Sequence, residues 1–291
     1  ETAAISYLSS FINDRGQPYM RNISKPEAAR KSCSRISPYL AYGCLSSAFV
    51  FQTVRSSSKL SVFNKNAFLS RLRWRDHFIQ KFEMEMRIER EAMNRAYESI
   101  SYQLDDEKFE AWQSGRTGYP LVDACMRCVA TTGYLNFRMR AMVVSFLTHH
   151  LWQHWRKGAT HLAKMFLDYE PGIHFPQFQM QAGITGIHTI RIYNPVKQSQ
   201  EHDPDGSFIK KWVPELALVP DSLIHTPWTM SALEQQIYNV ELGKNYPLPI
   251  VDYKVTTKHA ADTLWQMQKK PEVILEAKLI LKKHTLEKRM R

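Results

Sequence analysis

Asn136-Phe-Arg-Met-Arg-Ala-Met-Val-Val-Ser-Phe-Leu-Thr-His-His-Leu-Trp-Gln-His-Trp155 returns an apolar residue every three or four positions. That is the period of a helix with a buried face, and no strand-like alternation competes with it. The windows on either side repeat the pattern. Ala48 to Ser56, Asn66 to Asn94 and Pro120 to Ala130 all space their apolar residues in the same way.

Further toward the N-terminus, Ile5, Leu8, Phe11 and Ile12 predict a helix over Thr2 to Arg15 that stops at Gly16. Gln17 to Ser32 is polar and holds Pro18 and Pro26, so it is expected to be an exposed loop with Tyr19 as its one anchor. Ser37-Pro38 opens a new helix, with the serine as cap and proline in the first turn. Past Asp203-Pro204-Asp205-Gly206 the chain reads as short helices tied by loops, ending in a basic amphipathic helix from about Pro271 to Arg291. Several period-two runs bounded by tight turns would be needed for a sheet, and none occurs. The expected fold is all-α, one helical domain over residues 1–291 with little or no sheet.

The 291 residues are 44% hydrophobic and 12% aromatic, enough for a packed core. Lys and Arg number 39 against 28 Asp and Glu, a net charge of +11 that points to a polyanionic partner such as nucleic acid. No apolar run reaches the roughly 18 to 20 residues of a membrane span, so a soluble protein is expected. The four cysteines Cys33, Cys44, Cys125 and Cys128 make no disulfide framework, which favours a reducing, cytoplasmic setting. The signatures of serine hydrolases, phosphate-loop kinases and dinucleotide-binding turns do not occur. Cys125-x-x-Cys128 has no second pair, and His150 and His154 lack the glutamate of zinc hydrolases; core thiols and no metal are expected.

Leu167 to Gly183 carries the most chemistry. Asp168 and Glu170 precede a loop opened by Pro171 and Gly172 and packed with His174, Phe175, Phe178 and Met180. Two acceptors beside aromatics suit the polar edge of a flat heteroaromatic ligand, but spacing alone favours an Asp168–arginine pair beside core aromatics. Ser32-Cys33-Ser34-Arg35-Ile36-Ser37-Pro38 offers hydroxyls and amides at a helix start, a place for a diphosphate or for ordinary capping. In Phe68 to Phe78, Arg71, Arg75 and Phe78 share a helical face close to Trp74, a mixture that stacks bases and meets phosphates, or that simply buries the tryptophan. Arg138 and Arg140 follow Tyr134, and one of them meeting Asp168 would form an ion pair that also donates to a ligand.

Ser34-Arg35-Ile36-Ser37-Pro38-Tyr39-Leu40, Trp74-Arg75-Asp76, Ala111-Trp112-Gln113-Ser114-Gly115-Arg116-Thr117-Gly118-Tyr119-Pro120-Leu121-Val122-Asp123-Ala124, Arg138-x-Arg140, Asn194-Pro195, Asp203-Pro204-x-Gly206 and Trp212-Val213-Pro214-Glu215-Leu216 together resemble the flavin-binding domain of the photolyase and cryptochrome family. The resemblance implies an all-helical fold that holds FAD bent into a U. It implies Tyr19, Cys33, Ser34, Arg35, Ile36 and Ser37 at the diphosphate. It further implies Phe68, Arg75, Arg140, Asp168, Glu170 and His174 as cofactor neighbours, with Glu170 in place of an aspartate. For DNA and its lesion it implies Arg71, Trp74, Arg75, Phe137, Arg138, Met180 and Gln198. Repair members split pyrimidine dimers with an electron from excited reduced flavin, while cryptochromes sense blue light without repair.

The same resemblance marks departures. Arg71 replaces an acid, Phe137 an asparagine and Met180 a tryptophan. The electron relay maps to Phe178, Trp155 and Tyr102, with a ring that resists oxidation in the innermost place and Trp152 or Tyr169 as substitutes. His174 stands where asparagine is common beside the flavin. Relatives also carry an N-terminal antenna domain, which this sequence lacks, so it reads as a piece or as a short flavin domain. A monomer that binds UV-damaged DNA is expected.

Overall fold

A computed structural model describes residues 1–285. Its helices are α1 (Thr2–Ser10), α2 (Tyr19–Asn22), α3 (Pro26–Ser32), α4 (Ser37–Ala41), α5 (Ser47–Ser56), α6 (Val62–Met84), α7 (Asp106–Ser114) and α8 (Pro120–Thr132). They continue as α9 (Phe137–Ser145), α10 (Trp155–Met165), α11 (Pro171–Gln181), α12 (Pro195–His202), α13 (Ser207–Trp212), α14 (Ala232–Ile237), α15 (Tyr253–Gln268) and α16 (Pro271–His284). Among the described residues there is no strand, and an isolated bridge pairs Leu242 with Tyr246. The fold is all-α, as the periodicity requires.

Several boundaries differ from the sequence reading. Gln17 to Ser32 is not an exposed loop: Pro26 starts α3, Ala29 is buried, and Tyr19 lies in a core shared with Phe11, Leu40, Val50 and Phe68. Two short helices form because that core rewards them, despite polar composition. Ser37 is not a cap; Ile36 precedes α4 and no side chain caps its amides. The window expected to run to Asn94 ends at Met84, where Glu85 turns to meet Arg87, Lys283 and His284. The tertiary ion cluster outweighs helical continuation.

Asn136 to Trp155 is two elements. α9 passes into a wider turn over Phe146–His150, and Trp152 takes a left-handed backbone, φ 52°, that ends the helix. Trp155 therefore begins α10 rather than closing α9, with the His154 ring accepting from the Arg156 amide at 3.2 Å. The segment after Pro171 is not a loop but α11, capped by Glu170 and tolerating Pro176 within it. Past Gly206 not every helix is short, since α15 has 16 residues. The terminal helix is described to His284, and the remainder of that expectation lies outside the described residues.

Two contacts place the site. α11 lies on α6, and Gly172 allows it: a Cβ there would fall 2.8 Å from Ile79 Cα. Gly158 on α10 does the same deeper in, where a Cβ would stand 2.1 Å from Leu147 Cδ2 and 2.9 Å from Phe178 Cζ. Asp123 fixes the turn before α8: its carboxylate accepts from the Thr117 amide and hydroxyl, the Gly118 amide and the Tyr246 hydroxyl, at 2.6 to 3.1 Å.

Candidate functional site

Arg140 on α9 and Asp168 before α11 meet. Arg140 Nη2 donates to both Asp168 oxygens, at 2.8 and 2.9 Å, and Nε donates to the Leu135 carbonyl at 2.8 Å. Phe166 backs the guanidinium at 3.9 Å. The pair is half-buried, with the Asp168 side chain 8% exposed. Around it Phe137, Phe166, Ile173, His174, Gln177 and Phe178 line a cleft of about 80 Å³.

That cleft has unused hydrogen-bonding capacity. Among the described residues Arg140 Nη1 donates to nothing and the buried Gln177 Oε1 accepts from nothing. One donor and one acceptor facing a narrow apolar slot match the edge of a ring carrying carbonyl and N–H groups. His174 is fixed as well. Its Nε2 donates to the Ala159 carbonyl at 2.8 Å, leaving Nδ1 to accept, and burial pushes its pKa down to about 4. At neutral pH it is an uncharged imidazole of one tautomer.

The segment from Cys33 to Ser37 lies between α3 and α4. Arg15, which the sequence reading missed, holds it: its guanidinium donates to the carbonyls of Tyr7, Lys31, Cys33 and Ser34. With the carbonyls turned toward Arg15, the amides of Ser34, Arg35, Ile36 and Ser37 have no recorded acceptor among the described residues. A run of free amides is what a diphosphate needs. Burial pushes the Cys33 thiol up to about 11, so it stays neutral and adds no repelling charge. Arg35 has φ 59° and stacks on Tyr134 at 3.9 Å.

Tyr134 joins the two halves. Burial raises its hydroxyl pKa, and the charges of Arg35, Arg140 and Asp168 reach it. Tyr19 packs edge-on against Phe11 and Phe68, at 5.6 and 5.9 Å, so Tyr19 and Phe68 belong to the N-terminal core. Arg71 acts on Tyr19, opposing the rise that burial and Cys33 impose. Arg75 bonds the Ser47 hydroxyl, Asp76 and the Leu40 carbonyl, tying α6 to α4 and α5. Glu170 Oε1 accepts from the Gly172 amide at 3.4 Å, a capping duty the sequence reading did not foresee.

The remaining candidates scatter. Trp74 and Phe137 are each 54% exposed, so neither is core. Arg138 donates to the Tyr193 hydroxyl at 3.3 Å, Met180 is half-buried, and buried Gln198 has an unpartnered Oε1. Trp155 is buried and stacks on His154 at 5.8 Å; His154 meets Tyr102 at 5.0 Å, and Tyr102 meets Trp152 at 5.7 Å. None of these four lines the cleft. Cys125 and Cys128 are buried core thiols.

A second groove, about 990 Å³, adjoins the Cys33 to Ser37 segment through Arg15, Ser32 and Arg35. Its other wall carries Asp203, Asp205 and Asp221, which oppose an anion, and it reaches neither Arg140 nor Asp168. The donor set therefore favours the smaller cleft. That cleft is well below the roughly 300–1,000 Å³ of a drug-sized site. FAD fits its chemistry, and the side chains that fill it must turn aside to give the cofactor room.

Residues 68–266 match the family described as the FAD binding domain of DNA photolyase. A deoxyribodipyrimidine photo-lyase of Alkalihalophilus pseudofirmus is 35% identical over 264 residues, 89% of this chain and 54% of that protein. Cryptochrome DASH of Synechocystis sp. is 36% identical over 261 residues, 87% of this chain and 53% of the relative. The chain thus spans about half the length of the curated relatives it matches. Among solved structures, a bacterial class III photolyase from Agrobacterium tumefaciens superposes with a TM-score of 0.87 at 31% identity, covering 92% of this chain and 56% of the other. With the fold, the donor set and these likenesses in agreement, the chain belongs to the photolyase and cryptochrome family, with FAD as its cofactor.

Proposed function

We propose that this chain is the FAD-bearing helical domain of a light-dependent DNA photolyase and that it acts as a monomer. Phe137 carries the reading: it lines the cleft and is 54% exposed, so an aromatic face stands at the entrance where a flipped pyrimidine would stack. The net charge of +11, exposed Arg71 and Trp74, and Arg138 next to Phe137 support a DNA phosphate surface. Buried Gln198 keeps an acceptor for a base edge, and Met180 supplies an apolar wall.

The bound flavin supplies light absorption and one-electron chemistry. The chain's residues position it. Arg140, held by Asp168, would address a ring carbonyl with its free Nη1. The amides of Ser34 to Ser37 would take the diphosphate, and neutral His174 would offer Nδ1 as an acceptor without adding charge. Phe178 and Phe166 exclude water from the slot. The decisive assay illuminates the flavin-reduced protein with DNA containing pyrimidine dimers; unchanged lesions would sink the repair reading.

A second reading, a cryptochrome-type photoreceptor, is favoured by Phe178 and by the departures from the repair pattern at Arg71, Phe137 and Met180. A buried phenylalanine in the innermost relay position suits a protein whose light response differs from that of ordinary repair enzymes.

A further inference from the structure

Helix α11 carries glutamines at positions 177, 179 and 181, and the fold treats them differently. Gln179 is buried and fully bonded: its Oε1 accepts from the Met93 amide at 2.6 Å, and its Nε2 donates to the Ile88 and Glu91 carbonyls at 2.8 and 2.9 Å. Gln177 and Gln181 stand one helical turn apart on the other side of the helix, and both line the cleft. Gln177 Oε1 is buried without a donor. No protein group among the described residues bonds the Gln181 carboxamide, although that residue is only 8% exposed. A buried carboxamide without a partner costs stability, so the pair is built for something that enters the cleft.

The surroundings define what that is. Phe137, Phe166, Ile173 and Phe178 make the rest of the wall largely apolar, which favours a flat ring whose polar atoms lie at its edge. A carboxamide holds a donor and an acceptor side by side. The edge of a thymine does the same, with a carbonyl next to an N–H. Two thymines joined as a dimer offer two such edges next to each other. Residues four apart on a helix hold their Cβ atoms roughly 5–6 Å from one another, close enough for each glutamine to answer one base. Both side chains are uncharged, so neither repels the phosphates that the basic surface attracts.

We propose that Gln177 and Gln181 are specificity-determining residues that read the two base edges of a pyrimidine dimer, each Oε1 accepting from a ring N–H and each Nε2 donating to the neighbouring carbonyl. This rests on the DNA reading proposed above and adds to it the groups that select the damaged bases.

The test measures, in the dark, the affinity of the FAD-loaded chain for duplex DNA carrying one thymine dimer, the same dimer methylated on both N3 atoms, or no lesion. Gln177→Leu and Gln181→Leu should each weaken binding of the dimer about tenfold, or about 1.4 kcal/mol, with no further loss on the methylated dimer and no change on intact DNA. Because neither carboxamide has a protein partner, each variant should keep or raise the Tm, which a merely structural role would lower. Wild-type affinity for the dimer in both variants overturns the proposal. A loss confined to the ratio of FAD to protein also overturns it, since the carboxamides would then serve the flavin. A wild type that prefers the dimer yet leaves it unsplit under light refutes repair while the base reading stands; variants that bind and split dimers like wild type refute the base reading while repair stands.

Discussion

Acidification should unfold this protein at a pH set by three buried histidines. His149 Nε2 donates to the Ala182 carbonyl with Nδ1 on the Ser145 hydroxyl, His150 Nε2 donates to the Tyr193 carbonyl with Nδ1 on the Thr256 hydroxyl, and His174 Nε2 donates to the Ala159 carbonyl. Burial holds each pKa at about 4 against 6.5 in the unfolded chain. Because the folded values lie below the unfolded ones, the unfolded state binds more protons between pH 6.5 and 4. Stability is therefore complete above pH 6.5 and falls as pH drops through that window.

A shift of 2.5 units is worth about 3 kcal/mol per histidine, and the three together approach 10 kcal/mol at pH 4. That matches the whole stability of an ordinary domain, roughly 5–15 kcal/mol. Asp123 and Asp203, raised by burial, act with the opposite sign, while half-buried His188, also pushed down to about 4, acts with the same sign as the three. Urea unfolding followed by circular dichroism at half-unit intervals measures the slope, expected near 4 kcal/mol per pH unit for three protons taken up. A free energy that stays flat between pH 6.5 and 5 would refute the reasoning.

Gly158→Ala should destabilise the protein by about 1–3 kcal/mol, read as a lower Tm, because its methyl must displace Leu147 and Phe178; an unchanged Tm would show that the wall yields. Asp168→Ala should lower the ratio of FAD to protein after gel filtration and cost about 1–3 kcal/mol, less than a fully buried pair because Arg140 is 26% exposed. Full FAD occupancy would remove the ion pair from the binding argument. Asp123→Ala strands four donors and should cost at least about 3 kcal/mol in urea unfolding; a loss under about 1 kcal/mol would mean that water replaces them.

Much of the fold was legible because helical period and punctuation are local. The Gly16 stop, the opening of α4 at Ser37-Pro38 and the start of α8 at Pro120 all stand where the chain's own chemistry puts them. Local chemistry fails where distant groups intervene. Polar composition concealed α2, which sets Tyr19 against Phe11 and Phe68, and α3, which buries Ala29. Pro171 and Pro176 suggested a loop, but Glu170 caps α11 and α6 packs against it.

The sequence by itself determined an all-helical chain and a basic character, since residue identity and period suffice for those, and it offered the residue set of a flavin site only through its resemblance to a family. Only the tertiary structure decided that Arg140, rather than Arg138, meets Asp168 across 28 positions. It also decided that Arg15 holds the Cys33 and Ser34 carbonyls while the amides from Ser34 to Ser37 stay free, and that His174 is neutral with its proton on Nε2. Those outcomes depend on which groups share a low-dielectric interior, and only packing creates that interior.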